Sequence, residues 1–330
     1  MEIISRGHRI PRSGRQVRST KTGKDAIVTS TSPTTLDADR RRAITGRVVG
    51  RTRELSLVLA AVAAGRDILL EGPPGTSKST MLRAITTDWG VPFVLVEGNA
   101  ELTPARLVGH HNPARVLRED YSSDTFVAGP LVDAMRTGAF LYIEELNRAP
   151  EDTLNTLLGA MAEREVVVPR VGRVTALPTF RVLASMNPFD NIGTARISDS
   201  VYDRWCRLVV DYQDAAAEAA IVRLRSRCAD ERLVEDAVAI TRATRAHADL
   251  RRGSSVRGAI DLAAIGVQLG LMADEQSSYE SRVLDAAQLA LSARVGVDEA
   301  IDTTPEAVIT EIWETHFFSL PGEQRRDRTA

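Results

Sequence analysis

The stretch Gly72-Pro-Pro-Gly-Thr-Ser-Lys-Ser79 constrains this chain more than any other. Before it, Asp67-Ile-Leu-Leu-Glu71 is a short apolar run that reads as a buried strand; after it, Met81, Leu82 and Ile85 have helical spacing. The order is therefore strand, glycine-rich loop, helix, the context a phosphate-binding loop requires. Successive backbone N–H groups and the helix N-terminus would cradle an anion there. Lysine usage points the same way. The chain has 39 arginines and three lysines; Lys21 and Lys24 lie near the N-terminus, and the third, Lys78, lies inside the loop. A compact ammonium on a flexible stem fits between β- and γ-phosphates better than a planar guanidinium does. Gly72, Pro73, Pro74, Gly75, Thr76, Ser77, Lys78, Ser79 and Thr80 are thus candidate nucleotide-binding residues. Within them, Lys78 would neutralise phosphate charge and the Ser79 hydroxyl would ligate Mg²⁺.

The position before the lysine is usually glycine in such loops, and here it is Ser77. If that residue takes positive φ, a serine costs on the order of 1 kcal/mol. A second apolar strand, Ala139-Phe-Leu-Tyr-Ile-Glu144-Glu145, ends in two carboxylates. This is the form of a Walker B segment, in which the first acid holds Mg²⁺ and the second polarises the attacking water. The first acid is normally aspartate; Glu144 moves the carboxylate outward by roughly one bond length. A third strand, Thr179-Phe-Arg-Val-Leu-Ala-Ser-Met-Asn187, ends in an amide. Asn187 could orient water or touch the γ-phosphate, although Asn-Pro is also a common turn opener.

At 330 residues the chain is long enough for two domains. A hydrophobic fraction of 43% and a charged fraction of 26% are those of an ordinary soluble protein. No run approaches the ~18 apolar residues of a membrane span, and the N-terminus lacks a signal peptide's apolar core, so a cytoplasmic address and no membrane insertion are expected. Cys206 and Cys228 make neither a disulfide framework nor a metal site. The adjacent pair His110-His111 reads as structural or as an interaction surface. Residues 1–45 hold ten Lys/Arg against four Asp/Glu, which leaves the remainder at −8 for a total of −2. This segment, rich in Ser, Thr, Arg and Gly, reads as a flexible basic arm. It lacks the aromatic residues that serve nucleic-acid binders as stacking platforms.

Strands at Asp67–Glu71, Pro92–Glu97, Phe140–Glu144 and Phe180–Met186 alternate with helices at Leu55–Ala64, Leu131–Arg136 and Thr153–Glu163. That pattern predicts an α/β fold with a parallel sheet wrapped by helices, over residues 46–213. A hairpin is expected between Glu165 and Leu177, turning near Arg170–Arg173, and Glu101–Thr125 reads as a loop. From residue 214 to 330 the periodicity is helical throughout: Ala215–Arg227, Arg232–Ala248, Val256–Ala273, Ser281–Ala293 and Pro305–Phe317.

As an ordered set, GPPGTSKS, LYIEELNRAP, ASMNP, the Gly-Thr of NIGTARIS, VYDRW and GSSVRGAIDL resemble the AAA+ ATPases. Within them they resemble the MoxR-like group and the related gas-vesicle and Rubisco-activating ATPases. The resemblance covers roughly residues 46–270. It implies a P-loop NTPase αβα sandwich followed by an all-α lid domain. It further implies that Asn187 is the sensor 1 residue and that Arg204 is an arginine finger acting on a neighbouring subunit's nucleotide, with Trp205 where relatives have Phe. Arg257 would be the lid's sensor 2, and Val48, Val49 and Gly50 would contact adenine. Glu145, Asn187, Arg204 and Lys78 are then the catalytic candidates, and Ser79 and Glu144 the metal ligands. Arg148 and Arg196 are rival trans-acting arginines.

The resemblance implies Mg²⁺-dependent ATP hydrolysis in a ring, with six subunits expected, that remodels or matures a protein client. It also implies a possible von Willebrand factor A domain partner. The segment Glu101–Thr125 and the hairpin are candidate client-facing insertions. The alternative is a nucleic-acid-stimulated motor or loader, against which the acidic body and near-absence of lysine argue. A third reading, a scaffold that binds ATP but scarcely hydrolyses it, is prompted by Ser77 and Glu144.

Overall fold

A computed structural model describes residues 38–188, 202–274 and 277–319. Five parallel strands form the central sheet: β1 (Ile68–Glu71), β2 (Phe93–Glu97), β5 (Phe140–Glu144), β8 (Arg181–Met186) and β9 (Cys206–Val209). Their spatial order is β2-β5-β8-β1-β9, so β1 lies between β8 and β9 although its chain neighbour is β2. β1, β5 and β8 are covered on both faces, which is why their sequences are nearly unbroken apolar runs.

Alternation along each strand divides the core in two. On one face Leu69, Leu141, Ile143, Val182 and Ala184 pack beneath helices α6 (Pro130–Thr137) and α7 (Glu151–Glu163). On the other, Ile68, Leu70, Phe140, Tyr142 and Leu183 meet α2 (Thr52–Ala63) and α3 (Lys78–Asp88). Helix α1 (Ala38–Gly46) also joins the second face through fully buried Ile44. The last eight residues of the expected flexible arm are therefore helical and anchored; residues 1–37 lie outside the described residues.

The expected hairpin is present as β6 (Glu165–Val168) paired with β7 (Gly172–Thr175). Glu101–Thr125, expected as loop, contains α4 (Pro104–Val108), α5 (Pro113–Glu119) and β3 (Gly109–His111), which pairs with β4 (Phe126–Ala128). Thr103 and Asn112 cap these helices ahead of proline at the first helical position, a signal present in the sequence. His111 is structural: its ring bonds Thr125 Oγ1 (3.1 Å) and the Pro169 carbonyl (3.2 Å) and packs edge-on against Tyr121 and Phe126.

Residues from Ala215 onward build a separate core from α8 (Ala215–Ser226), α9 (Glu231–Ala243), α10 (Val256–Met272), α11 (Tyr279–Leu291) and α12 (Pro305–Phe318). The all-α expectation needs one correction: Leu250–Arg252 (β10) pairs with Gly296–Val297 (β11) in a two-stranded ribbon. Residues 244–248 also leave the helix predicted for them, because Thr244 Oγ1 and the Arg245 backbone receive the turn at Gly253–Ser254 instead. Among the described residues no helix is long and apolar enough to cross a membrane.

Candidate active site

The loop leaves the carboxyl end of β1, with Gly72 N–H donating to Met186 O at the end of β8 (3.3 Å). Two of its glycines are obligatory for space. A Cβ on Gly72 would lie 2.0 Å from Val210 O, and one on Gly75 would lie 2.4 Å from Ser255 Oγ. Ser77 does adopt the left-handed conformation, with φ 69° and ψ 16°. Replacing it by glycine should therefore stabilise the protein by about 1 kcal/mol, a Tm rise of about 2 °C by calorimetry; an unchanged or lower Tm would refute the strain.

Lys78 Nζ donates to Gly72 O (2.6 Å) and Pro73 O (2.7 Å) and sits 3.4 Å from Thr76 Oγ1, while Thr76 Oγ1 donates to Pro73 O (2.9 Å). Burial, followed by the Arg257 and Arg51 charges, pushes the Lys78 ammonium down to about 8, with Glu145 opposing. Three cations thus converge on one loop. Thr80 lies in the first turn of α3 beside Ser79.

Ser79 reaches the end of β5. Its hydroxyl lies near enough to Glu144 and Tyr142 to draw both toward their ionised forms. Tyr142 Oη donates to Glu144 Oε1 at 2.7 Å, and Arg83 lies 3.5 Å from the same oxygen. Burial raises the Glu144 carboxyl, but the Tyr142 and Ser79 hydrogen bonds and the Arg83 charge outweigh it and hold the group below the usual range. Burial, with the Glu144 charge adding to it, raises the Tyr142 hydroxyl, so it remains a donor. Tyr142 reads in sequence only as one more apolar strand residue, and only the structure shows it orienting the carboxylate.

Glu145 is also left-handed (φ 53°, ψ 47°), a strained conformation for a residue with a side chain. It heads a short 3₁₀ turn, Leu146–Arg148, and its Oε2 lies 3.0 Å from Arg148 Nε. Arg148 is therefore paired within its own chain. Buried Asn147 donates from Nδ2 to Asn187 O at 3.0 Å, so the end of β8 is fixed to the turn carrying Glu145. Because Met186 bonds the loop, Asn187 stands beside it.

Gly50, which follows half-buried Val49, lies against the connection from β9 to α8: a Cβ on Gly50 (φ 67°) would fall 2.0 Å from Gln213 Oε1. Next to them Arg51, not singled out by sequence, is buried with its side chain 5% exposed. It donates to Glu54 (2.8 Å) and to Asp211 O. Arg257 is exposed in the first turn of α10, after the N-cap Ser255.

Arg204 stands apart from all of these. It is exposed and donates from Nη1 to Leu158 O in α7 (3.1 Å), just before the start of β9. There Cys206 N–H bonds Asp67 O, at the amino end of β1. The loop begins at the opposite end of that strand, roughly 15 Å away at 3.3 Å per residue. Arg196 and the Gly193-Thr194 pair lie outside the described residues.

Residues 67–205 match the AAA domain family of the dynein-related subfamily. The chain is 27% identical over 255 residues to the gas vesicle ATPase GvpN of Ancylobacter aquaticus, covering 72% of this chain and 70% of that one. An uncharacterised protein of Staphylococcus epidermidis is 29% identical over 172 residues, covering 52% of this chain and 65% of its own length. A crystal structure of a candidate ATPase from Cytophaga hutchinsonii superposes with a TM-score of 0.46 at 20% identity, covering 83% of this chain and 92% of that one.

Proposed function

We propose that the chain is an AAA+ ATPase of the MoxR-like type that hydrolyses ATP at sites completed between subunits of a ring, remodelling a protein client. One observation carries this reading. Lys78, Ser79, Glu144, Glu145 and Asn187 gather at the carboxyl edge of the sheet, whereas Arg204 stands at the amino edge, beyond reach of its own loop. On this reading the chain divides at residues 213 and 214 into a nucleotide-binding body and a lid.

The roles follow from the chemistry of each group. Lys78 meets the β- and γ-phosphates, whose negative charge relieves its repulsion by Arg51 and Arg257. Ser79 and Glu144 would hold Mg²⁺; a hydroxyl and a carboxylate held ionised are the oxygen donors that ion takes. Bound there, Mg²⁺ neutralises phosphate charge. Glu145 accepts the proton of the attacking water, and Asn187 orients that water. Arg204 donates to the γ-phosphate of the adjoining subunit, and Arg257 closes the lid on the nucleotide. Val49 and Gly50 border the adenine. The client side is assigned to the segment 101–125 and the β6–β7 hairpin, and a von Willebrand factor A domain protein and a cytoplasmic location remain part of the proposal through the MoxR-like kinship.

The reading is tested by specific ATPase activity against protein concentration, with mass measured in the same samples. Activity should rise as the ring assembles; a flat rate from a monomer sinks it. Glu145→Gln should retain ATP and lower turnover by about 10²–10⁴, trapping the assembled state. Wild-type turnover in that variant removes Glu145 from the role. Stimulation of the rate by DNA, steeply salt-dependent, would favour the motor reading instead.

A further inference from the structure

The turn Gly253-Ser254-Ser255, which leads into α10, rests on the phosphate loop. Ser255 Oγ lies so close to Gly75 that a Cβ there would stand 2.4 Å from it. On its other side the turn is pinned to the residues just after α9. Ser254 N–H donates to Thr244 Oγ1 (2.9 Å), and Arg245 Nε donates to Ser254 O (2.7 Å). A Cβ on Gly253 would fall 2.5 Å from Arg245 Cα.

Arg245 is itself anchored twice. Its Nη1 donates to Glu218 Oε1 (2.8 Å), a buried carboxylate that also receives Arg242 (3.1 Å). Its guanidinium lies 3.9 Å from the centre of the Tyr212 ring. Tyr212 belongs to the connection between β9 and α8, and that connection touches the nucleotide site from beneath. Val210 O packs against Gly72, Arg51 bonds Asp211 O, and Gln213 packs against Gly50. Arg242 bonds Gln213 O from the lid side (2.8 Å).

We propose that Arg245 is a positioning residue for the nucleotide site: anchored on Glu218 and Tyr212, it holds the Gly253–Ser255 turn against the phosphate loop and so sets where α10 presents Arg257. The inference rests on the reading of Arg257 as a lid residue that meets nucleotide. Arg245 acts through the turn and touches no substrate. Its guanidinium suits the task because a rigid fork bonds a carboxylate on one edge and a backbone carbonyl on another. A lysine keeps the charge opposite Glu218 yet cannot span both partners while stacking on the ring.

The test is a double-mutant cycle read as the Kd for ATP, measured on the full chain with a fluorescent ATP analogue, and checked by Tm. The single variants are Arg245→Lys, Tyr212→Leu and Arg257→Ala; Arg245→Lys and Tyr212→Leu are each also combined with Arg257→Ala. The expected result is that each single variant weakens binding by about tenfold, the order of coupling within one contact network. Each double variant should bind no more weakly than Arg257→Ala alone, because both steps act through the same arginine. Multiplied effects in the doubles, or wild-type affinity in both Arg245→Lys and Tyr212→Leu beside an impaired Arg257→Ala, overturn the positioning role. Wild-type affinity in Arg257→Ala overturns the lid reading and this inference with it. Should one variant fail to fold, the other completes its own cycle.

Discussion

Arg204→Ala is expected to lower ATP turnover of the assembled protein by about 10³–10⁵-fold while leaving the ATP affinity of the single chain unchanged. The side chain is exposed and bonds Leu158 O at the surface, so its loss costs the fold little. A trans-acting role makes a further demand that a structural role does not. Arg204→Ala chains keep an intact loop, and Lys78→Ala chains keep an intact finger. Mixed, the two inactive variants should recover part of the activity, because half of the mixed junctions pair a good loop with a good arginine. A mixture as inactive as its components, or full turnover in Arg204→Ala alone, sinks the assignment.

Lys78→Ala is expected to remove ATP binding from the working range. Truncating one partner of a desolvated charge pair typically costs about 2–5 kcal/mol, near 10²–10³-fold in Kd at the middle of that span. The fold should tolerate the change. Without Lys78, the repulsion it suffers from Arg51 and Arg257 disappears, which offsets the donor that buried Gly72 O and half-buried Pro73 O each lose. Isothermal titration against wild type decides the matter; unchanged affinity would falsify the loop assignment. A Tm within a few degrees of wild type would show that the loss lies in binding.

The parts of this site that were readable in sequence are those dictated by local chemistry. A glycine-rich loop between an apolar run and a helical repeat identifies itself, and so does an apolar strand ending in two acids. Other parts depend on what lies across the fold. β9 escaped because Cys206-Arg-Leu-Val is a short edge strand with mostly exposed side chains, so neither alternation nor a continuous apolar run marks it. Tyr142, and the bond by which Asn147 fixes Asn187, were not legible because their partners, Glu144 and Asn187, are set by sheet register and turn geometry. Arg51 was one arginine among 39 until burial and its bond to Asp211 O distinguished it. The ribbon β10–β11 pairs Leu250 with Val297 and Arg252 with Gly296 through two or three residues on each side, too few for any periodicity.

The opposite placement of loop and Arg204 along β1 gives each copy a head and a tail. Two copies related by a two-fold axis present identical patches to each other, so such a pair cannot pass an arginine from one to the next in sequence. Head-to-tail contacts always leave a donor unspent at one end and an acceptor at the other until the line bends round and closes. In the proposed ring the small angle between successive copies would therefore govern how many chains the assembly holds. It would also give that ring a direction of travel, since every copy would act on the neighbour to one side and be acted on from the other.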